Sequence, residues 1–219
     1  MISLMEKNKL PQVTLVAMTS KKIINHYRIL EQCRKHIEWG MTLLLSPDDS
    51  EFIEWDEEKK NYFVCKKIEP INSIDEWNKA IIYELPKHIK TTHALLVHHD
   101  GYVIHPELWK DEWLSLDYIG APWPLPTDDY SYRDEEGEIQ RVGNSVSLRS
   151  KRLMDLVATR EWKSYRGNTN EDGFICCHNR KWLESKGMKF GTLEQAIHFS
   201  KEHEIPENKD IETFAFHAL

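Results

Sequence analysis

Apolar residues in this chain form short runs that alternate with stretches of helical periodicity. The runs predict buried strands at residues 13–17, 41–45, 62–66, 92–97 and 145–148. Apolar residues spaced three and four positions apart predict helices at 21–39, 73–90, 106–116, 151–159 and 170–185. Ser20 and Gly40 are expected to cap the first helix. The order strand, helix, strand predicts parallel pairing and therefore an α/β fold, in which helices flank a mostly parallel central sheet.

The chain is expected to form one domain over residues 1–219, since it shows no internal repeat and no linker rich in Gly or Ser. Residues 127–140 are polar and mostly acidic, and they predict a loop long enough to be mobile over a site.

Composition narrows the class of protein. A net charge of -7 argues against non-specific binding to nucleic acids, although a nucleic-acid acceptor is not excluded. There is no apolar leader and no apolar run of 18 residues, and the four cysteines have no CxxC spacing. We therefore expect a cytoplasmic protein without a membrane span. Eight Trp residues hint at a surface that stacks on sugars or bases, but extra core volume explains each of them as well.

The first candidate site is His98-His99-Asp100-Gly101, which directly follows the buried strand predicted at 92–97. Open α/β sheets bind ligands beyond the carboxyl ends of their strands. His98 and Asp100 lie on the same side of an extended chain, where an imidazole and a carboxylate can share a divalent cation with a phosphate. Two such residues can equally well do no more than end a strand.

A second candidate is the acidic pair Glu171-Asp172, which begins a predicted helix and precedes Gly173. An acid in the first turn is favoured by the helix dipole alone. Two acids before a glycine are less well explained in this way, and a catalytic base is the sharper hypothesis. Near the other end, His217 follows aromatic residues 214–216, which suggests that the terminal segment packs on the core.

Five segments in this order resemble a family of small bacterial and viral proteins with a glycosyltransferase fold of the GT-A type, long catalogued as a domain of unknown function. The likeness covers residues 10–219, and the segments are HHDGYV (98–103), DYIGAPWP (117–124), GNSVSLRS (143–150), NEDGF (170–174) and FAFH (214–217). The resemblance implies a Rossmann-like half that binds a nucleotide sugar, about residues 10–104, and an acceptor-binding half, about 105–219.

The resemblance also implies roles for particular residues around the donor. The donor, expected to be a UDP-linked sugar, would lie near Thr19 and His98. A cofactor Mn²⁺ or Mg²⁺ would be held by Asp100, the one carboxylate in HHD where the family has a DxD type motif, and by His217.

Acidic residues at the helix start, Glu171 and Asp172, would serve as the base or contact the acceptor, and an acidic base favours inversion at the sugar. Physical reasoning adds that a glycan or other hydroxyl-bearing acceptor would meet Trp123 and Tyr118, whose rings can stack on a sugar. Asn144 is expected to contact the same acceptor. Arg149 is expected to meet a phosphate, with an ordinary ion pair as an equal alternative.

One departure bears on the acceptor. Ser145-Val146 stands where the family usually has Gly-Gly-Phe, so this segment is one residue shorter and has lost both inner glycines. Two alternatives to a glycosyltransferase stay open. The chain can be a catalytically silent nucleotide- or sugar-binding protein of the same fold, which both departures favour, or a metal-dependent phosphoesterase, which would need more clustered carboxylates.

Overall fold

The structure is a computed structural model that describes residues 8–48, 52–56, 61–144, 146–164 and 170–217. It has a mixed α/β fold around one large, mostly parallel sheet. In the described part of the chain the strands are β1 (Asn8–Met18), β2 (Ile37–Ser46), β3 (Phe52–Asp56), β4 (Asn61–Lys67), β5 (His93–Leu96), β6 (Tyr118–Ile119), β7 (Ser147–Ser150), β8 (Ser200–Lys201) and β9 (Ala215–Phe216).

The described helices are short. They are α1 (Ile23–Arg34), α2 (Ile74–Tyr83), α3 (Leu85–His88), α4 (Lys151–Val157), α5 (Glu171–Gly173), α6 (Arg180–Ser185) and α7 (Leu193–Phe199). A π-helical turn, Phe174–His178, connects α5 to α6, and 3-10 turns replace the helix predicted at 106–116. Among these described residues, no helix combines the length and the apolar character needed to cross a membrane.

The seven strands β1 to β7 form the large sheet in the order β3-β4-β2-β1-β5-β7-β6 within the described residues. β1 pairs in parallel with β2 and with β5, and β2 pairs in parallel with β4, which confirms the predicted parallel βαβ unit. β3 and β7 join antiparallel. The carboxyl ends of the four parallel strands therefore lie along one edge, followed by Thr19 after β1 and by His98 after β5.

The first helix is shorter than predicted, and its caps differ. Gly40 lies inside β2 rather than ending α1, because the apolar residues from Ile37 onward join the sheet. Lys22 is the N-cap residue in a left-handed conformation, at φ 52°. Ser20 instead accepts a hydrogen bond from the backbone N–H of Ile71, at 2.6 Å.

The final segment packs on the core, as predicted. β8 and β9 pair in parallel, and the backbone N–H of His217 donates to the carbonyl of Lys201 at 2.9 Å. Phe214 is fully buried against the rings of Trp109 and Trp113. This packing brings the end of the described chain back to the edge where β1 and β5 finish.

The DYIGAPWP segment, residues 117–124, is a structural junction. Asp117 is buried and accepts hydrogen bonds from Ser150 at 2.5 Å, from Arg152 at 2.6 Å and from the backbone N–H of Lys189 at 2.8 Å. Gly120 approaches Gly143 so closely that a Cβ at position 120 would lie 1.8 Å from the Gly143 carbonyl oxygen. The segment therefore joins β6, β7 and the chain after α6.

Gly120→Ala tests this junction. We expect it to lower the free energy of unfolding by about 3 kcal/mol or more, because backbone atoms rather than a flexible side chain must move. The matched control is Gly187→Ala, where a Cβ meets open space and only the positive φ of 79° is penalised, at about 1 kcal/mol. Urea unfolding of both variants measures the difference, and equal losses would contradict the close approach.

Candidate functional site

A cavity of about 450 Å³ opens at the sheet edge where β1 and β5 end. The residues that line it come from five separate parts of the chain, namely Met18, Thr19, Lys21, Lys22, His26, Ile74, Trp77, His98, His99, Asp100, Asn170, Glu171 and His217. Their convergence follows from the topology, since parallel strands deliver their carboxyl ends to the same crevice. Of the residues predicted around the donor, Thr19, His98, Asp100 and His217 all line this cavity.

The turn after β5 presents His99 and Asp100 at its tip. The backbone N–H of His98 donates to the Gly101 carbonyl at 2.7 Å, and the N–H of Gly101 donates back to the His98 carbonyl at 3.3 Å. A Cβ at position 101 would lie 2.5 Å from Cδ2 of His217. A glycine is therefore needed here for the terminal segment to reach the turn.

Asp100 and His217 face each other across the mouth of the cavity. Nε2 of His217 lies 3.7 Å from Oδ1 of Asp100, and Nδ1 of His217 lies 3.1 Å from Oε1 of Glu202. Burial lowers the pKa of His217, but its hydrogen bond to Glu202 and the negative charges of Glu202 and Asp100 outweigh it, so the net shift is upward. Within the described residues, no group of three or more His, Cys, Asp or Glu side chains is arranged to hold a metal ion.

The opposite wall of the cavity is cationic. Nζ of Lys22 donates to Nε2 of His99 at 2.8 Å, and the His26 ring lies 5.1 Å from the His99 ring. Burial lowers the pKa of His26, and the neighbouring His99 and Lys22 act in the same direction. Because a lysine ammonium only donates, His99 accepts at Nε2 and directs its Nδ1–H toward Asp100, whose Oδ1 is 3.4 Å away.

Trp77 gives the cavity an aromatic side. Its indole N–H donates to the carbonyl of Met18 at 3.2 Å, and its ring lies 5.5 Å from the ring of His98. Ile74, one turn earlier on α2, is 65% exposed at the rim. Lysines, imidazoles and an apolar wall thus share one crevice.

The acidic pair divides into two different environments. Glu171 is fully buried and accepts from the guanidinium of Arg149 at 2.6 Å, and both side chains are only 1% exposed. Asp172 accepts from the backbone N–H of Asn144 at 3.1 Å and from its neighbour Gly173 at 2.7 Å. Among the described residues, no cationic side chain is in direct contact with Asp172.

Burial raises the pKa of the Asp172 carboxyl to about 7, and the negative charge of neighbouring Glu171 adds to the shift. Asp172 also lies close enough to interact electrostatically with Glu202 and His217. A carboxyl that titrates near neutral pH exchanges protons readily with a substrate hydroxyl. This environment fits a general base better than a helix cap alone.

Two of the predicted roles are corrected by the ion pair. Arg149 does not face a phosphate, because its guanidinium is buried between Glu171, Ser147 and the ring of Tyr118. Glu171 lines the cavity, but its carboxylate is 1% exposed and contacts Arg149, so these contacts favour a structural ion pair over the predicted catalytic role. Replacing Glu171 by Gln is therefore expected to affect stability before chemistry, since it leaves a buried cation without its partner.

The predicted acceptor residues are buried as well. Tyr118 is 0% exposed, and its hydroxyl donates to the carbonyl of Asn144. Trp123 is 4% exposed, lies on the backbone of Gly143 and stacks on Tyr132 at 4.8 Å. Neither ring has a face open to a sugar, so the predicted stacking is wrong. Asn144 is also buried, and it contributes its backbone N–H to Asp172 rather than a side chain to an acceptor.

The acidic segment 127–140 has a defined conformation. Asp134 is fully buried and accepts from the backbone N–H groups of Glu136 and Glu138, both at 3.0 Å, and from the amide of Gln140 at 2.9 Å. Asp128 accepts from two further backbone N–H groups. These bonds argue against the predicted mobility of this segment.

Sequence reasoning misses Trp77 and Glu202. The periodicity of residues 73–90 assigns Trp77 to the buried face of a helix, which is correct but does not reveal that its edge borders a cavity. Lys21 and Lys22 do stand out in the sequence as a local basic patch of the kind that a phosphate-bearing substrate needs, and both line the cavity. Glu202 has no local signal, since its partner is brought to it by β8–β9 pairing.

Comparison with known proteins identifies a family but no activity. Residues 60–217 match a family described as protein of unknown function (DUF5672), and because the match covers more than half of the chain, the protein belongs to that family. No curated protein matches the sequence.

Among solved structures, the chain is similar to the fragment TarS 1–349 of S. aureus, with a TM-score of 0.37 and 12% sequence identity. The alignment covers 66% of this chain and 48% of the TarS chain, so this chain matches about half of that fragment. A likeness at this level carries no argument about function.

The environment of Asp172 predicts a pH-dependent stability. A carboxyl whose pKa is raised on folding binds more protons in the native state between the ordinary value and the raised one, so stability falls as pH rises from about 4 to about 7. Asp172→Asn removes the ionisable group and with it this fall in stability at higher pH. We expect the variant to match the wild type near pH 4 and to be more stable near pH 8, by on the order of 4 kcal/mol.

Urea unfolding at both pH values measures the effect. The control is Asp210→Asn, at an exposed position, which should leave the pH dependence of the wild type unchanged. If Asp172→Asn were equally destabilised at both pH values, the raised pKa would be excluded.

Proposed function

We propose that this protein is a metal-dependent glycosyltransferase with a GT-A-like fold, which transfers a sugar from a UDP-linked donor to an acceptor hydroxyl with inversion. The observation that carries the proposal is the proximity of three groups at one strand edge: the pair Asp100 and His217, the cationic wall at Lys21 and Lys22, and the carboxyl of Asp172 with its raised pKa. Each group matches one chemical requirement of sugar transfer from a nucleotide donor.

The pair Asp100 and His217 fits a divalent cation. Carboxylate oxygen and imidazole nitrogen are ligands that Mn²⁺ accepts, and Mg²⁺ binds through few protein ligands together with substrate phosphates. Two atoms each about 2.1 Å from one cation lie roughly 3–4 Å apart. The observed 3.7 Å between Oδ1 and Nε2 falls in this range. When bound, Mn²⁺ or Mg²⁺ supplies positive charge against the diphosphate of the leaving nucleotide.

The cationic wall suits the same diphosphate. Lys22 is exposed at the cavity, and Lys21 lies beside it. Lysine ammonium and imidazole N–H groups donate charge-assisted hydrogen bonds to phosphate oxygens. Trp77 and Ile74 offer an apolar surface of the kind that packs against a nucleobase. Thr19, which directly follows β1, also lines this cavity.

Asp172 is the proposed base. Two backbone N–H groups orient its carboxylate, and the raised pKa lets it accept the proton of an attacking hydroxyl near neutral pH. A base on the protein, rather than a carboxylate that attacks the sugar, is the arrangement that inversion requires. Asp100 and His217 would hold the cation at the diphosphate of the donor. Asp172, which lies on a different element, would accept the proton of the acceptor hydroxyl.

Asp100→Asn tests the cation site. We expect loss of the Mn²⁺-dependent rise in melting temperature that a UDP sugar produces, because a bound ligand stabilises the native state by mass action. The melting temperature of the free protein should stay nearly unchanged, since the Asp100 side chain is 48% exposed and exposed ion pairs contribute little.

The measurement is a thermal shift assay with a panel of nucleotide sugars, with and without Mn²⁺. Asp129→Asn, at an exposed position in the acidic segment, is the control and should respond like the wild type. A full Mn²⁺-dependent shift in Asp100→Asn would rule out this cation site.

Asp172→Asn distinguishes an enzyme from a silent binding protein. If Asp172 is the base, transfer to the acceptor should fall by roughly 10²–10⁴, while donor affinity stays close to that of the wild type. Single-turnover transfer assays and donor titrations measure the two effects separately. Donor binding without transfer in the wild type would identify a silent nucleotide-sugar binding protein instead, and unchanged transfer in the variant would remove Asp172 from the reaction.

A further inference from the structure

The hydrogen bond between His217 and Glu202 determines which nitrogen of His217 faces the cavity. A carboxylate only accepts hydrogen bonds, so Oε1 of Glu202, at 3.1 Å, requires the proton of a neutral His217 on Nδ1. Nε2 then carries the free lone pair. That lone pair is on the side of Asp100, whose Oδ1 lies 3.7 Å away.

The backbone fixes Glu202 and His217 side by side. β8 pairs in parallel with β9 through Lys201 and Phe216, and each of the two residues follows directly after its strand. The backbone N–H of His217 donates to the Lys201 carbonyl at 2.9 Å, which continues the ladder by one further bond. The contact is therefore set by sheet register and does not depend on a flexible segment.

The Glu202 side chain contacts the ring of His217 but lies outside the cavity. It is 22% exposed, which is less than its neighbour Glu204 at 63%, and its second oxygen lies 3.6 Å from Nε2 of His203. The carboxylate lies behind His217, on the side opposite Asp100, and it does not line the cavity. It can therefore act on the cavity only through the imidazole.

We propose that Glu202 is a positioning residue, which holds His217 in the Nδ1–H tautomer and directs Nε2 toward a divalent cation shared with Asp100. The part of this inference that concerns the cation rests on the function proposed above, whereas the tautomer does not. Carboxylates that accept from the distal nitrogen of a metal-binding histidine orient the ring and increase its basicity, and their loss weakens metal binding by roughly 10–100-fold.

Three variants test the inference. Glu202→Ala removes the acceptor, and Glu202→Gln keeps an amide oxygen that can accept from Nδ1–H. Glu204→Ala removes an exposed carboxylate that pairs with Lys201, three residues earlier. Affinity for Mn²⁺ in the presence of UDP is followed by the electron paramagnetic resonance signal of free Mn²⁺. The tautomer of His217 in the metal-free protein is read from its ¹⁵N chemical shifts at a pH where the imidazole is neutral, with His217→Gln for assignment.

We expect a single Nδ1–H tautomer in the wild type, in Glu204→Ala and in Glu202→Gln. Glu202→Ala should lose that tautomer and bind Mn²⁺ roughly 10–100-fold more weakly, and Glu202→Gln should lose much less affinity. A purely structural role for Glu202 would lower the melting temperature without changing the tautomer.

Two outcomes separate this inference from the function on which part of it rests. Wild-type protein that binds no Mn²⁺ with UDP would overturn the proposed cation site and with it the metal-directing part, while the ¹⁵N shifts would still decide the tautomer. Wild-type protein that binds Mn²⁺, together with unchanged affinity and tautomer in Glu202→Ala, would overturn the role of Glu202 and leave the proposed function standing.

Discussion

The arrangement of the site depends on the buried ion pair between Arg149 and Glu171. Removing two charges from water is costly, and a single partner left alone would be costlier still. Here the cost is offset by direct contact at 2.6 Å, by the Ser147 hydroxyl and by the ring of Tyr118 over the guanidinium. Because Arg149 is part of β7, the pair attaches the segment that begins at Asn170 to the central sheet.

The pair also explains why two adjacent carboxyls behave differently. Glu171 is in direct contact with Arg149, whereas the pKa of Asp172 is raised in part by the negative charge of Glu171 next to it. Burial acts on Asp172 in the same direction and is the larger cause. The two adjacent acids thus have different environments. Glu171 forms an ion pair with Arg149 of the sheet, whereas the pKa of Asp172 is raised, and their shared position at a helix start does not distinguish them.

The sequence predicts the sheet better than the site. Runs of apolar residues predict β1, β2 and β5, because a strand of a parallel sheet is buried on both faces and is therefore apolar at successive positions. The HHDG segment is a candidate site in the sequence because it directly follows such a run. The sequence does not reveal that Tyr118 and Trp123 are buried, because an aromatic motif looks alike whether its rings face a ligand or a neighbouring backbone. No local pattern in the sequence indicates a role for Glu202, because its contact with His217 forms only when β8 and β9 pair.

Gly101 has a consequence for the order in which the site is assembled during synthesis. The turn that carries Asp100 packs directly against the His217 ring, with no room for a side chain between them. Because a chain leaves the ribosome from its N-terminus, the sheet edge with Lys22, His99 and Asp100 can form while β9 is still in the exit tunnel. The turn then lacks the ring against which Gly101 packs, so this side of the cavity is completed only when a segment synthesised much later joins the fold.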